Sequence, residues 1–308
     1  MMEWTILGAG ALGCVMTGLL RQRGESVALM LSERHRGHFH PSLELITLTG
    51  AHQLIQSRPR FPEHARTVEC LLVFTKAYQV VDALKELRHL PASTPIILLH
   101  NGLGVAEKVQ ALFPNNPLLA GVSSHGAIKE RDWLVRHTGK GETWLGPLND
   151  AAKTWSHLVK PLEKALGHAE WSDDIALHQR RKLAINAVIN PLTACNNITN
   201  GQLLEPRFAD VLEQLSEEVY QVMSRLDGDK AETQDAFRRR LQQVIELTSS
   251  NHSSMHQDLA HGRPTENEYI SGYILANAGN QPVPVCSQLY QEIERKSGTA
   301  KPAQRMQH

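Results

Sequence analysis

Short apolar runs alternate with helix-period stretches through the first half of the chain, and strand-like runs nearly vanish from the second half. Residues 4–7 (Trp-Thr-Ile-Leu) form an apolar run that stops at glycines, which predicts a buried strand. Ala11 to Arg23 carries a helical pattern closed by Gly24, and a second apolar run spans Val27 to Leu31. Strand, helix and strand within about thirty residues is the unit that builds parallel sheets. The alternation continues with strands predicted at 71–75, 96–100 and 118–123 and helices at 80–90 and 105–113. Runs near 134–137 and 143–145 read as edge strands.

After about residue 172 the period changes to that of helices. Ser172 and Asp173 are suited to capping, and helical patterns cover 174–195, 208–226, 231–250, 266–278 and 284–296. The pattern therefore predicts an α/β domain over 1–172, an all-α domain over 173–297 and a frayed tail over 298–308, with a cleft between the domains.

Composition narrows the function classes. Thirty-two basic residues balance 32 acidic ones, so bulk charge favours neither a nucleic-acid nor a membrane partner. No apolar run approaches a membrane span, and the start MMEWTILGAG lacks the basic and long apolar regions of a secretory signal. Cys14, Cys70, Cys195 and Cys286 form no CxxC pair, which argues against zinc and against a disulfide framework. A reduced, cytoplasmic setting fits.

Gly8-Ala9-Gly10-Ala11-Leu12-Gly13 is a GxGxxG motif that follows a predicted strand and opens a predicted helix, the context in which it binds a dinucleotide. Gly8 allows the tight turn, Gly10 lets backbone approach a pyrophosphate, and Gly13 lets helix and strand pack closely. The domain is thus expected to be a Rossmann-type doubly wound sheet. Beyond the second strand, Glu33 argues for NAD, whereas Ser32, Arg34 and Arg36 argue for NADP; the balance leans to NADP.

The segment RKLAINAVINPLTACNNITNG holds the candidate chemistry. Ile185, Val188, Ile189 and Leu192 give an apolar stripe, while Lys182, Asn186 and Asn190 follow one another at four-residue spacing as a polar row. Asparagine is a poor mid-helix residue, and the run from Lys182 to Asn197 is otherwise uncharged, so the row is expected to face something polar. Pro191 should kink or loosen the helix, and Asn200 lies beyond it, before a turn at Gly201. Thr265 and Glu268 read as a capping box. Glu266 shares a helical row with Ile270 and Ile274, so it points to the packed side, where a carboxylate needs a partner such as Lys182.

These residues resemble the ketopantoate reductase (2-dehydropantoate 2-reductase) family. The resemblance rests on GAGALG at 8–13, TKAYQ at 75–79, HNGLG at 100–104, RKLAINAVINPLTA at 181–194, HSSMHQD at 252–258 and TENEYISGY at 265–273. It implies NADPH-dependent reduction of a small 2-oxo acid, 2-dehydropantoate, by a monomer or homodimer. Lys182 would be the general acid and Glu266 the group that orients it. Asn186, Asn190, Asn200 and Ser254 would hold substrate, and Lys76 and Asn101 would sit near the nicotinamide end of the cofactor. The chain departs from the family's pattern at Ser32, where an arginine for the 2′-phosphate is common; Arg34 or Arg36 would substitute. Competing readings are a reductase of another 2-oxo or 3-oxo acid and a non-catalytic NADP sensor. His256 and His261 have the wrong spacing for a zinc-protease HExxH, and GVSSHG at 121–126 is not the hydrolase GxSxG, leaving His125 as a loop or core histidine.

Overall fold

The computed structural model describes residues 2–56 and 58–298, apart from the side chains of Arg34 and His38. The expected tail lies, except for Gly298, outside the described residues. The described chain divides into two compact units. One comprises residues 2–100 and 104–178, the other residues 101–103 and 179–298.

The first unit opens with β1 (Glu3–Leu7), α1 (Ala11–Gln22) and β2 (Ser26–Met30). A hairpin of β3 (Ser42–Ile46) and β4 (His52–Gln56) follows, then β5 (Pro59–Arg60), β6 (Cys70–Val73), α2 (Ala77–Lys85) and β7 (Ile96–Leu98). It continues through α3 (Ala106–Leu112), β8 (Leu118–Ser123), β9 (Gly126–Arg131), β10 (Leu134–Gly139), β11 (Thr143–Pro147), α4 (Val159–Leu166) and β12 (Ala169–Trp171). The main sheet runs β12-β11-β8-β7-β6-β1-β2-β5. β1 lies between β2 and β6, parallel to both, with Ile6 opposite Leu29 and Leu72. The chain therefore winds outward in both directions from β1, and the end of β1 is the switch point at which such sheets bind ligands. Trp4, Ile6, Leu29, Leu72, Ile97 and Leu119 are fully buried in one core, which is why these strands read as nearly continuous apolar runs.

A second sheet, ordered β4-β3-β10-β9, packs Leu43, Leu45, Ile55 and Val135 against Cys14 and Val15 of α1. Gly18 permits this approach, since a Cβ there would lie 2.6 Å from Leu45 and 2.7 Å from Ile55. The two expected edge strands are corrected by this topology. β10 is interior to the second sheet, and β11 is flanked by β8 and β12 in the first.

The helical unit contains α5 (Ile175–Asn196), whose first turn lies with the first unit, and α6 (Ala209–Asp227), α7 (Gln234–Leu247), α8 (Ser254–Ala260), α9 (Asn267–Ala276) and α10 (Pro284–Lys296). Val188, Ile189, Leu192, Val219, Phe237, Ile245, Ile274 and Ile293 form its core. The start of α5 differs from expectation. Asp174 accepts from the amide of Leu177 and Ser172 accepts from that of Asp174, while Asp173 instead accepts from the Trp171 indole at 2.8 Å. Helix α5 also runs unbroken through Pro191. Glu218 on α6 accepts from the amides of Val285 and Cys286 at 2.9 and 2.8 Å, supplying the N-terminal acceptor that α10 lacks in its own sequence. No described helix is long and apolar enough to cross a membrane. Among the described residues no group of three or more His, Cys, Asp or Glu side chains could hold a metal.

Candidate active site

The glycine loop is shaped by close approach. Gly8 has φ +109°, and a Cβ on it would lie 2.9 Å from the Thr75 amide nitrogen. A Cβ on Gly13 would lie 2.2 Å from the Gly8 carbonyl oxygen. Gly10 is the opposite case: it is exposed, and nothing lies within 4 Å of where its Cβ would stand. Gly10 also occupies the N-cap of α1, and no side chain caps the helix there. The two outer glycines are thus demanded by packing, while the middle one leaves open space over free helix N–H groups. Ala9, Ala11 and Leu12 are half-buried around it. This cradle fits a pyrophosphate, which would accept from those N–H groups at the positive end of the helix dipole.

Beyond β2, the Ser32 hydroxyl and His35 Nδ1 are 2.8 Å apart. Arg36 grips both oxygens of Glu33, at 2.8 and 2.7 Å, reaches Glu63 at 2.7 Å, and stands 3.9 Å over the Phe61 ring. Hydrogen bonds from Arg36 hold the Glu33 and Glu63 carboxyls below their usual range. Arg36, one of the proposed phosphate ligands, is therefore engaged by two carboxylates, whereas the Arg34 side chain lies outside the described residues. Lys76 is half-buried at the N-cap of α2.

In the helical unit, Leu183, Ala184 and Ile185 are buried around the half-buried Lys182. Desolvation pushes the Lys182 ammonium down to about 8, against the opposing pull of the Glu266 carboxylate. Glu266 is 3% exposed and forms the N-cap of α9, with Ile270 and Ile274 buried along the same row as expected. Glu266 is thus a carboxylate close enough to Lys182 to oppose the loss of its charge. The expected capping box does not form: Glu268 is exposed and accepts from the Tyr290 hydroxyl at 2.6 Å. The first turn of α9 is anchored instead by the fully buried Asn267, which donates to the Tyr290 carbonyl and to Glu294.

Asn186 is half-buried and Asn190 buried on the same helix as Lys182. Asn200 is 7% exposed; its amide group donates to the Thr248 hydroxyl at 2.9 Å, while its carbonyl Oδ1 is buried without a hydrogen-bond partner. Asn101 belongs to this unit although it follows β7 in sequence. Its neighbour Leu103 donates to the Tyr269 carbonyl on α9 at 2.9 Å, and a Cβ on Gly102 (φ +81°) would meet Tyr269 at 2.6 Å. The structure therefore brings Asn101 to the helix that Glu266 caps.

Ser254 is exposed at the first position of α8. Its neighbour Ser253, passed over in the sequence, is buried, caps α8 and accepts from Thr193 of α5 at 2.7 Å. The Ser-Ser pair ahead of Met255 was the available signal for that cap. His256 is held by Asn197 at 2.8 Å and stacks on His252. His125 is buried against His137 at 3.0 Å. Neither arrangement resembles a zinc-protease or serine-hydrolase centre.

Residues 4–150 match the family described as ketopantoate reductase PanE/ApbA, and residues 174–297 match its C-terminal counterpart. The chain is similar to a 2-dehydropantoate 2-reductase of Vibrio cholerae, 34% identical over 95% of this chain and 97% of that protein. A 2-dehydropantoate 2-reductase of Escherichia coli O157:H7 is 36% identical over 96% and 95%. Among solved structures, D-mandelate dehydrogenase with NADH and anilino(oxo)acetate superposes with a TM-score of 0.88 at 23% identity, over 97% of this chain and 99% of that one. A PanE/ApbA family ketopantoate reductase from Ralstonia eutropha JMP134 gives 0.85 at 24%, over 96% and 99%. With both halves of the sequence matched in order, and a Rossmann-type sheet joined to a helical unit, this chain belongs to the ketopantoate reductase PanE/ApbA family.

Proposed function

We propose that this chain is an NADPH-dependent oxidoreductase of the cytoplasm, acting as a monomer or homodimer. It reduces the 2-oxo group of 2-dehydropantoate to (R)-pantoate for pantothenate and coenzyme A synthesis. Bound NADPH would supply the hydride. The glycine loop over α1 holds the pyrophosphate, and Lys76 and Asn101 serve the nicotinamide end. Lys182 donates the proton to the carbonyl oxygen as negative charge develops there. Glu266 keeps that ammonium charged and oriented. Asn186, Asn190, Asn200 and Ser254 hold the substrate's hydroxyl and carboxylate. A polar, amide-rich set with one cation suits a small hydroxylated anion.

The observation that carries this reading is the placement of Lys182 on α5 within electrostatic reach of the buried Glu266, where burial lowers the ammonium from its usual range. A general acid is most useful when its ionisation lies near working pH. The test is NADPH oxidation, followed by absorbance, with 2-dehydropantoate and a panel of other 2-oxo and 3-oxo acids. Highest kcat/KM with 2-dehydropantoate is expected. Preference for another oxo acid would move the substrate assignment, and no turnover with any of them would reject the enzyme reading.

A further inference from the structure

We propose that the Ser32 hydroxyl and the His35 imidazole together form the contact for the cofactor's 2′-phosphate, making them the residues that select NADPH over NADH in this chain. The inference rests on the proposed cofactor and names how this chain recognises it.

In a doubly wound sheet, the ribose nearest the adenine is recognised just beyond the second strand. The groups offered there by this chain are already sorted. Glu33 is the acid in position to take the ribose hydroxyls of NADH, but both its oxygens are gripped by Arg36. Arg36 is in turn fixed by Glu63 and by the Phe61 ring beneath it. Engaging a ribose through Glu33, or a phosphate through Arg36, would break this cluster. The cluster leaves Arg36 shared between two carboxylates, so the guanidinium is not available as a lone cation for a 2′-phosphate.

Ser32 is joined to His35. Both are half-buried, 2.8 Å apart, and joined through Ser32 Oγ and His35 Nδ1. The Ser32 hydroxyl is not spent on capping the short turn that follows it. A hydroxyl and an imidazole side by side offer hydrogen-bond donors to a phosphate dianion. The segment is held at its far side, where Phe39 packs edge-on against Trp133 with ring centres 5.3 Å apart. Asp132, beside that tryptophan and bridged to Lys129 at 2.7 Å, is the acidic group whose charge interacts with His35. Among the described side chains, Glu33, Arg36 and Glu63 are further charged groups around the segment.

The test is calorimetric binding of NADPH and of NADH to the full chain near neutral pH, with no substrate present. The unsubstituted protein should prefer NADPH. Ser32→Ala and His35→Ala should each weaken NADPH binding by about tenfold, the loss expected for one hydrogen bond to a charged group, and leave NADH binding within about twofold. His35→Lys, which places a charged donor there, should keep the preference. Equal losses for both nucleotides, no loss for either variant, or a preference abolished by Arg34→Ala alone would overturn the assignment. An unsubstituted protein that binds neither nucleotide would overturn the cofactor reading, and this inference with it. One that binds NADPH while both variants keep the preference overturns this inference only.

Discussion

Replacing Glu266 by glutamine isolates the electrostatic part of its role, because the amide keeps the shape and removes the charge. The Lys182 ammonium sits at about 8, lowered by burial and held up by the Glu266 carboxylate. An adjacent opposite charge is worth about one to three pH units. Taking the lower end, Glu266→Gln should bring Lys182 to about 7. The donating form is the protonated one, so activity is present below that value and lost as pH rises through it. Near pH 6 both proteins hold more than about nine-tenths of Lys182 as ammonium, and the variant should show little loss from this cause. Near pH 9 the protonated share falls from about one in ten to about one in a hundred, a deficit of about ninefold. The assay is kcat/KM for 2-dehydropantoate at saturating NADPH across that range. The falling limb should shift to lower pH in the variant. A deficit of equal size at every pH, or an unmoved limb, would refute the claim that Glu266 acts by keeping Lys182 charged.

Two further outcomes follow from packing. Gly13→Ala places a Cβ 2.2 Å from the Gly8 carbonyl. The loop must shift, so thermal unfolding should show a loss of about 1–3 kcal/mol, and calorimetry should show weakened binding of NADPH and NADH alike. Glu218→Ala strips both acceptors from the first amides of α10. Urea unfolding should show about 2–4 kcal/mol of lost stability, with NADPH affinity unchanged; an unaltered midpoint would contradict the capping role.

The centre of the main sheet was legible in the sequence because its strands are buried on both faces and read as plain apolar runs, whereas the short β5 and β12 were not read. The long helices were legible because their stripes repeat over several turns. Of the second sheet only β10 was read, as an edge strand near 134–137. β4 (His-Gln-Leu-Ile-Gln) buries only Ile55 completely, and β9 is mostly exposed, so neither stands out as a run. Its clearest trace was the alternation of Leu43 and Leu45 in Ser-Leu-Glu-Leu-Ile, reinforced by Gly18 on the facing side of α1. The short helices α4 and α8 were not read either.

In the candidate site, the burial of Glu266 was readable from spacing, because Glu266 shares a row with Ile270 and Ile274. The task of Glu268 was not. The motif Thr-x-x-Glu fits a capping box locally, but the tyrosine that takes the carboxylate lies 22 positions away, on α10. The placement of Asn101 with the helical unit was equally hidden, since it depends on Gly102 and Leu103 meeting Tyr269, a contact made only in the folded chain.

The most direct measurement is the steady-state rate of Lys182→Ala with 2-dehydropantoate, taken alongside its NADPH affinity. Removing the proton donor should lower kcat by about a hundredfold or more and leave NADPH affinity within about twofold. Turnover equal to that of the unsubstituted protein would contradict the assignment of Lys182 as general acid, and with it the chemistry proposed for this chain.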